Sequence, residues 1–183
     1  MRLLLTVVLC GLVVTTSALA KEKREGDPHL RPQDDRVSQA LRDGAKRSAT
    51  FKSLVDRIER SQVIVYVAIN PQIKSNLSGM LTWMTHAGGF RYVRASISPE
   101  LSSDQMIATV AHELQHAVEV IEDESVTDEK TLTALYRRIG KPNGAEAPSR
   151  WETAAAQQTG YQVRRELVGA AATTMARAET TRS

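Results

Sequence analysis

The twenty residues from about Ser103 to Glu122 read as a helix before anything else about the chain is known. Ile107, Val110, Ala111, Leu114, Ala117, Val118 and Ile121 recur at the three- and four-residue spacing of one helical face. Pro99 marks a break upstream, and Ser102 or Ser103 can cap the first turn. Such a helix is about 30 Å long, enough to cross a small domain. Its apolar stripe needs a covering layer, and the residues before it supply one. Gln62 to Ile69 reads QVIVYVAI, a β-branched run closed by Asn70 and Pro71, which is the pattern of a buried strand. Met80 to Thr85 and Phe90 to Ser98 are two further apolar stretches. The residues between them include the pair Gly88 and Gly89, so they predict a β-hairpin.

Three more helices complete the pattern. Phe51, Leu54, Val55 and Ile58 predict an amphipathic helix over Ser48 to Arg60, and Asp128 to Ile139 predicts one that stops at Gly140 and Pro142. A last helix is expected from near Ser149 to about Val168. The order is a helix, three short strands with one hairpin, then three helices. It implies an α+β domain over residues 48–168, with helices packed on one face of a short sheet. Residues 21–47 combine charge with Pro28, Pro32 and Gly44 and read as a flexible lead-in, while 169–183 read as a loose tail or a fraying helix end.

Residues 1–20 have the parts of an export signal: Arg2, an apolar run from Leu3 to Val14, and Ala18, Leu19 and Ala20 before Lys21. The expected location is therefore periplasmic or extracellular. No later stretch is long and apolar enough to span a membrane. The only cysteine, Cys10, lies inside that leader, which leaves no disulfide, thiolate metal site or cysteine nucleophile for the mature chain. The formal charge of +3 hardly changes when Arg2 is removed, and basic residues alternate with acidic ones, so no nucleic-acid partner is called for.

The chemistry sits on the long helix. His112, Glu113, Leu114, Gln115 and His116 form an HExxH pattern. At about 100° per residue the two histidines are about 40° apart in azimuth and about 6 Å apart along the axis, so both rings can reach one tetrahedral ion. Glu113 falls on the flank of that face, where it can take a proton from a zinc-bound water. The histidines lie roughly opposite the apolar stripe.

A third ligand is needed. Glu119 follows on the same row as His116, but three donors in line along one helix cannot surround an ion, so it is expected behind the ligands or at the surface. Glu122 occupies the third-ligand position of the metzincin pattern, yet Glu119 stands where that pattern has its turning glycine. Glu152 is the better candidate. On a helix it shares a stripe with Ala156, Thr159, Val163 and Leu167, and Ala155, Ala156 and Gly160 keep that side slim enough for close approach. The competing reading makes Ser149 and Glu152 a capping box. Trp83 and Trp151 are expected in the core or in a groove wall, and the acidic run Glu122 to Glu129 in a solvated linker.

The HExxH pattern with a later glutamate on a separate element resembles the gluzincin clan of zinc metallopeptidases, in a small, single-domain, zincin-like form. Ala111 to Val118 (AHELQHAV), Leu135 to Gly140 (LYRRIG), and Glu152 with Gly160, Val163, Glu166 and Leu167 resemble an uncharacterised family of exported bacterial HExxH proteins. The resemblance covers about Phe51 to Val168. It implies Zn²⁺ held by His112, His116 and Glu152, with Glu113 as the general base and a peptide or protein as the substrate. It also implies a tyrosine or histidine that stabilises the transition state, for which Tyr136, Tyr161 and His86 are available, and a substrate-binding edge strand in the hairpin, at Phe90 to Ser98. Two rivals stand beside it: a zinc-bearing envelope domain that binds a partner without catalysis, and a metal-free envelope protein with a chance motif.

Overall fold

The computed structural model describes residues 27–73, 76–142 and 151–180. The leader at 1–20 and Ser149 lie outside the described residues. A four-stranded mixed sheet carries the domain, in the order β1 (Leu30–Pro32), β2 (Val63–Ile69), β4 (Phe90–Ile97), β3 (Gly79–Ala87). β1, β2 and β4 run parallel, and β3 pairs antiparallel with β4 at the edge. The β3–β4 turn is only Gly88 and Gly89, both at positive φ (58° and 76°), a backbone path that a residue with a side chain adopts at a cost.

Because side chains alternate across a strand, one sheet face gathers Val65, Val67, Val93, Ala95 and Ile97, all fully buried. Against that face pack α1 (Asp35–Arg47), α2 (Ala49–Glu59) and the central α3 (Ser103–Glu122). α3 also packs along α5 (Ala154–Thr180), while α4 (Glu129–Ile139) closes over the end of β3. Ile107, Val110, Ala111, Leu114, Ala117 and Val118 lie in the core as their spacing implies. The mixed α+β class and the hairpin agree with the sequence reading.

Residues 30–47 are not a loose lead-in. Leu30 pairs beside Val65, and the Glu59 carboxylate accepts hydrogen bonds from the amides of His29 and Leu30 (2.9 and 3.0 Å). Asp34 then caps α1 by accepting from the Val37 amide, and its other oxygen accepts from Ile69 at the end of β2. α1 buries only Val37, Ala40 and Gly44, small residues whose stripe is faint in the sequence. At the other end α5 continues as helix to Thr180, past the expected stop near Val168. Its start is also different. Residues 151–152 form β6 (Trp151–Glu152), paired with β5 (Lys141–Pro142), and the helix begins after Thr153, whose hydroxyl accepts from the Ala156 amide (3.1 Å).

Two charged side chains tie the helices together. Arg91 on β4 is buried and donates to the carbonyls of Val120 and Asp123 (2.6 and 2.8 Å), satisfying the C-terminal end of α3. Glu166 on α5 reaches the N-terminus of α2, accepting from the Ser48 hydroxyl, the Thr50 amide and hydroxyl, and Gln162. Burial alone would raise its pKa, but the hydrogen bonds from Ser48, Gln162 and Thr50 outweigh it and hold the carboxyl at about 2. A carboxyl whose folded pKa is depressed stabilises the fold above its ordinary value near 4.5, and that contribution disappears as pH falls toward 2. Glu166→Gln should therefore cost about 2 kcal/mol at pH 7. The gap from the parent should narrow in urea melts repeated between pH 4.5 and 2. A deficit that stays constant across that range would show that the ionised form is not what matters.

Candidate metal centre

α3 carries His112, Glu113 and His116 into a cleft of about 340 Å³ between β3, α4 and β6. The cleft explains what covers the histidine face. Leu81 and Trp83 of the edge strand, Leu132 and Tyr136 of α4, and Trp151 of β6 form its walls. Trp151 and Trp83 are thus groove-wall residues. Trp83 and Leu81 stand there because they pair with Val93 and Ala95, on the helix-facing side of the sheet.

Among the described residues, one group of three or more histidine and carboxylate side chains could hold a metal ion: His112, His116 and Glu152, whose donor atoms all lie within 4.8 Å of one another. Glu152 Oε1 is 3.3 Å from His112 Nε2 and 3.9 Å from His116 Nε2. The sequence-derived trio is brought together, but by a different local structure. Glu152 sits in the extended β6, where pairing with Lys141 fixes it, and not on the last helix. The slim stripe itself is real: Ala156, Val163 and Leu167 are fully buried, and Gly160 lies close to the Ala108 carbonyl and the His112 ring.

The carboxylates around the ligands divide by position. Glu119 is buried, with Oε2 at 2.8 Å from His116 Nδ1 and Oε1 accepting from the Thr153 hydroxyl. Glu122 does not join the site, because it pairs with Arg57 (2.5 Å) at the exposed end of α3. The acidic run beyond it is spent on local bonds: Asp123 accepts from Ser125 and Arg138, and Asp128 caps α4.

Glu113 is almost fully buried, and its Oε2 has no hydrogen-bond partner among the described residues. Burial, opposed by His116 and reinforced by Glu152 and Glu119, pushes its carboxyl up to about 7. Gly79, at the start of β3, makes room for it; a Cβ there would lie 2.5 Å from Glu113 Oε1 and 2.9 Å from Thr109 Cγ2. His112 is driven down to about 4 by burial and by His116, which favours the neutral ring that binds metals. Burial lowers His116 too, but the Glu119 hydrogen bond and the nearby Glu113 and Glu152 outweigh it, and the net shift is upward. Burial raises Glu152.

This donor set suits a divalent ion. Two imidazoles and a carboxylate converge, and Glu113 and Glu119 add negative charge that a dication offsets. Among the described residues three donors converge, one fewer than a tetrahedral ion takes.

Of the residues considered for the transition state, Tyr136 lines the cleft, with its ring 5.3 Å from that of His116 and its hydroxyl 3.4 Å from the His116 carbonyl. Burial keeps that hydroxyl protonated, well above its ordinary pKa. Tyr161 and His86 are exposed and do not line it. The expected edge strand is also corrected: β4 is interior, and β3 forms the edge beside the cleft. Thr153 and Gly79 were not singled out from the sequence. The threonine before Ala154, Ala155 and Ala156 is the one signal that could have marked a helix cap there.

No protein-family model matches the chain, and no curated protein or solved structure matches it either. Among the described residues, no helix is long and apolar enough to cross a membrane.

Proposed function

We propose that this chain is a zinc-dependent hydrolase of peptide or related amide bonds, of the gluzincin type, acting outside the cytoplasm. The observation that carries this reading is the pairing of two elements. His112, His116 and Glu152 converge from separate parts of the fold, and beside them stands Glu113, a buried carboxylate with one oxygen unpartnered among the described residues. A site that only bound a structural ion would have no use for such a group, because leaving it buried without partners costs stability. The location rests on the leader-like residues 1–20 alone.

Zinc at such a site supplies Lewis acidity, which acidifies water and polarises a carbonyl at neutral pH. The chain's own residues do the rest. Glu113, buried beside the ligands, takes a proton from the attacking water and passes it to the leaving amine. Tyr136 lines the cleft beside His116, its hydroxyl held on the His116 carbonyl. β3, the sheet edge, presents main-chain groups for an extended peptide, and the walls formed by Leu81, Trp83 and Leu132 accept an apolar side chain.

Purified residues 21–183, prepared without chelators, should carry about one zinc per chain by elemental analysis. His112→Ala and His116→Ala should each lose it. Absence of stoichiometric metal from the parent, or full occupancy in either variant, would overturn the assignment.

A further inference from the structure

Glu119 and Thr153 link the two halves of the ligand set. Glu119 Oε2 lies 2.8 Å from His116 Nδ1, while Nε2 of the same ring faces Glu152. The Thr153 hydroxyl donates to Glu119 Oε1 and accepts from the Ala156 amide, so one side chain both starts α5 and holds the α3 carboxylate. Thr153 also follows Glu152 directly, and its amide donates to Glu152 Oε1 (3.0 Å). All three groups, His116, Glu119 and Thr153, are buried, which leaves water little access to these bonds.

We propose that Glu119 and Thr153 are a positioning pair: Glu119 holds His116 with its proton on Nδ1 and Nε2 bare, and Thr153 locks Glu119 in register with the strand that carries Glu152. Neither residue needs to touch the ion. A carboxylate behind a ligating imidazole fixes the tautomer and ring direction and makes the free nitrogen a stronger donor. The chain gains something further from the hydroxyl. The HELQH helix and the Glu152 strand come from distant parts of the sequence, and the bond from Thr153 to Glu119 sets their spacing before any ion arrives. The inference rests on the metal-binding reading above.

The test uses protein 21–183 and zinc itself, with affinity measured by chelator competition in the parent, Glu119→Gln, Thr153→Val and Thr153→Ser. Glu119→Gln keeps the side chain's size and leaves the α5 cap untouched. It and Thr153→Val should weaken zinc binding by about 10- to 100-fold, the usual effect of losing such a partner. Thr153→Ser, which keeps the hydroxyl, should restore affinity to within a few-fold of the parent, an outcome that packing loss alone does not produce. In parallel, ¹⁵N spectra of histidine-labelled, metal-free parent, at a pH where the ring is neutral, should show His116 protonated at Nδ1. Parent-like affinity in both Glu119→Gln and Thr153→Val, or His116 protonated at Nε2, would overturn the proposal. A parent that binds no zinc, yet has the Nδ1 proton in place, would instead overturn the metal reading and with it the purpose assigned to the pair.

Discussion

Glu113→Gln is expected to lower turnover on any accepted peptide by about 10²- to 10⁴-fold, the usual contribution of a general base, while zinc stays bound. Glu113 is not among the converging donors, so the amide removes proton transfer and leaves the ligands alone. Glutamine has a similar size and helix propensity, so α3 should persist. Stability should move the other way from activity. The parent buries a carboxylate with an oxygen unpartnered among the described residues, and a neutral amide is cheaper to bury, so the variant should melt no lower than the parent. Peptide-library digestion by the parent and the variant, with thermal melts of both, reads the two effects together. Equal cleavage would point to a contaminant or a different mechanism. Cleavage by neither, with zinc present in both, would favour a zinc-bearing domain that binds a partner without catalysis.

The parts of the fold that were legible beforehand are those whose signal is local. α3 shows its stripe over twenty residues, β2 is a run of β-branched side chains, and α4 is bracketed by Asp128 and Gly140. HELQH is legible for the same reason, since its two histidines are placed by one helix. What was not legible depends on distant partners. β1 is only three residues long and exists because β2 and the Glu59 carboxylate receive it. α1 shows little apolar pattern because its buried side is made of small residues. The edge of the sheet was misassigned because strand order is a property of pairing, and nothing in Phe90 to Ile97 tells that β2 will lie beside it. Glu152 does lie beside the two histidines, but on a strand and not on the last helix. Its place depends on pairing with Lys141 and on a cap supplied by Thr153.

That last difference sharpens the outcome expected for Glu152→Gln. From the sequence, Glu152 could have been a metal donor or one half of a capping box. With Thr153 capping α5, the helix start does not need the Glu152 side chain, whose Oε1 accepts from the neighbouring Thr153 amide and faces both histidine Nε2 atoms. Glutamine keeps the length, and its amide oxygen can still accept from Thr153, so the metal-free fold should be retained. As a neutral amide it is a poor zinc donor and takes a negative charge out of the cluster. Zinc affinity should therefore fall by more than about 100-fold, beyond the 10- to 100-fold typical of a partner that only supports a ligand. Chelator competition, with circular dichroism to confirm the fold, checks this. Unchanged affinity would leave, among the described residues, two histidines alone, because Glu122 is held away at Arg57 and Glu119 is engaged by His116 and Thr153. The reading of the cleft as a three-donor catalytic centre would then fail.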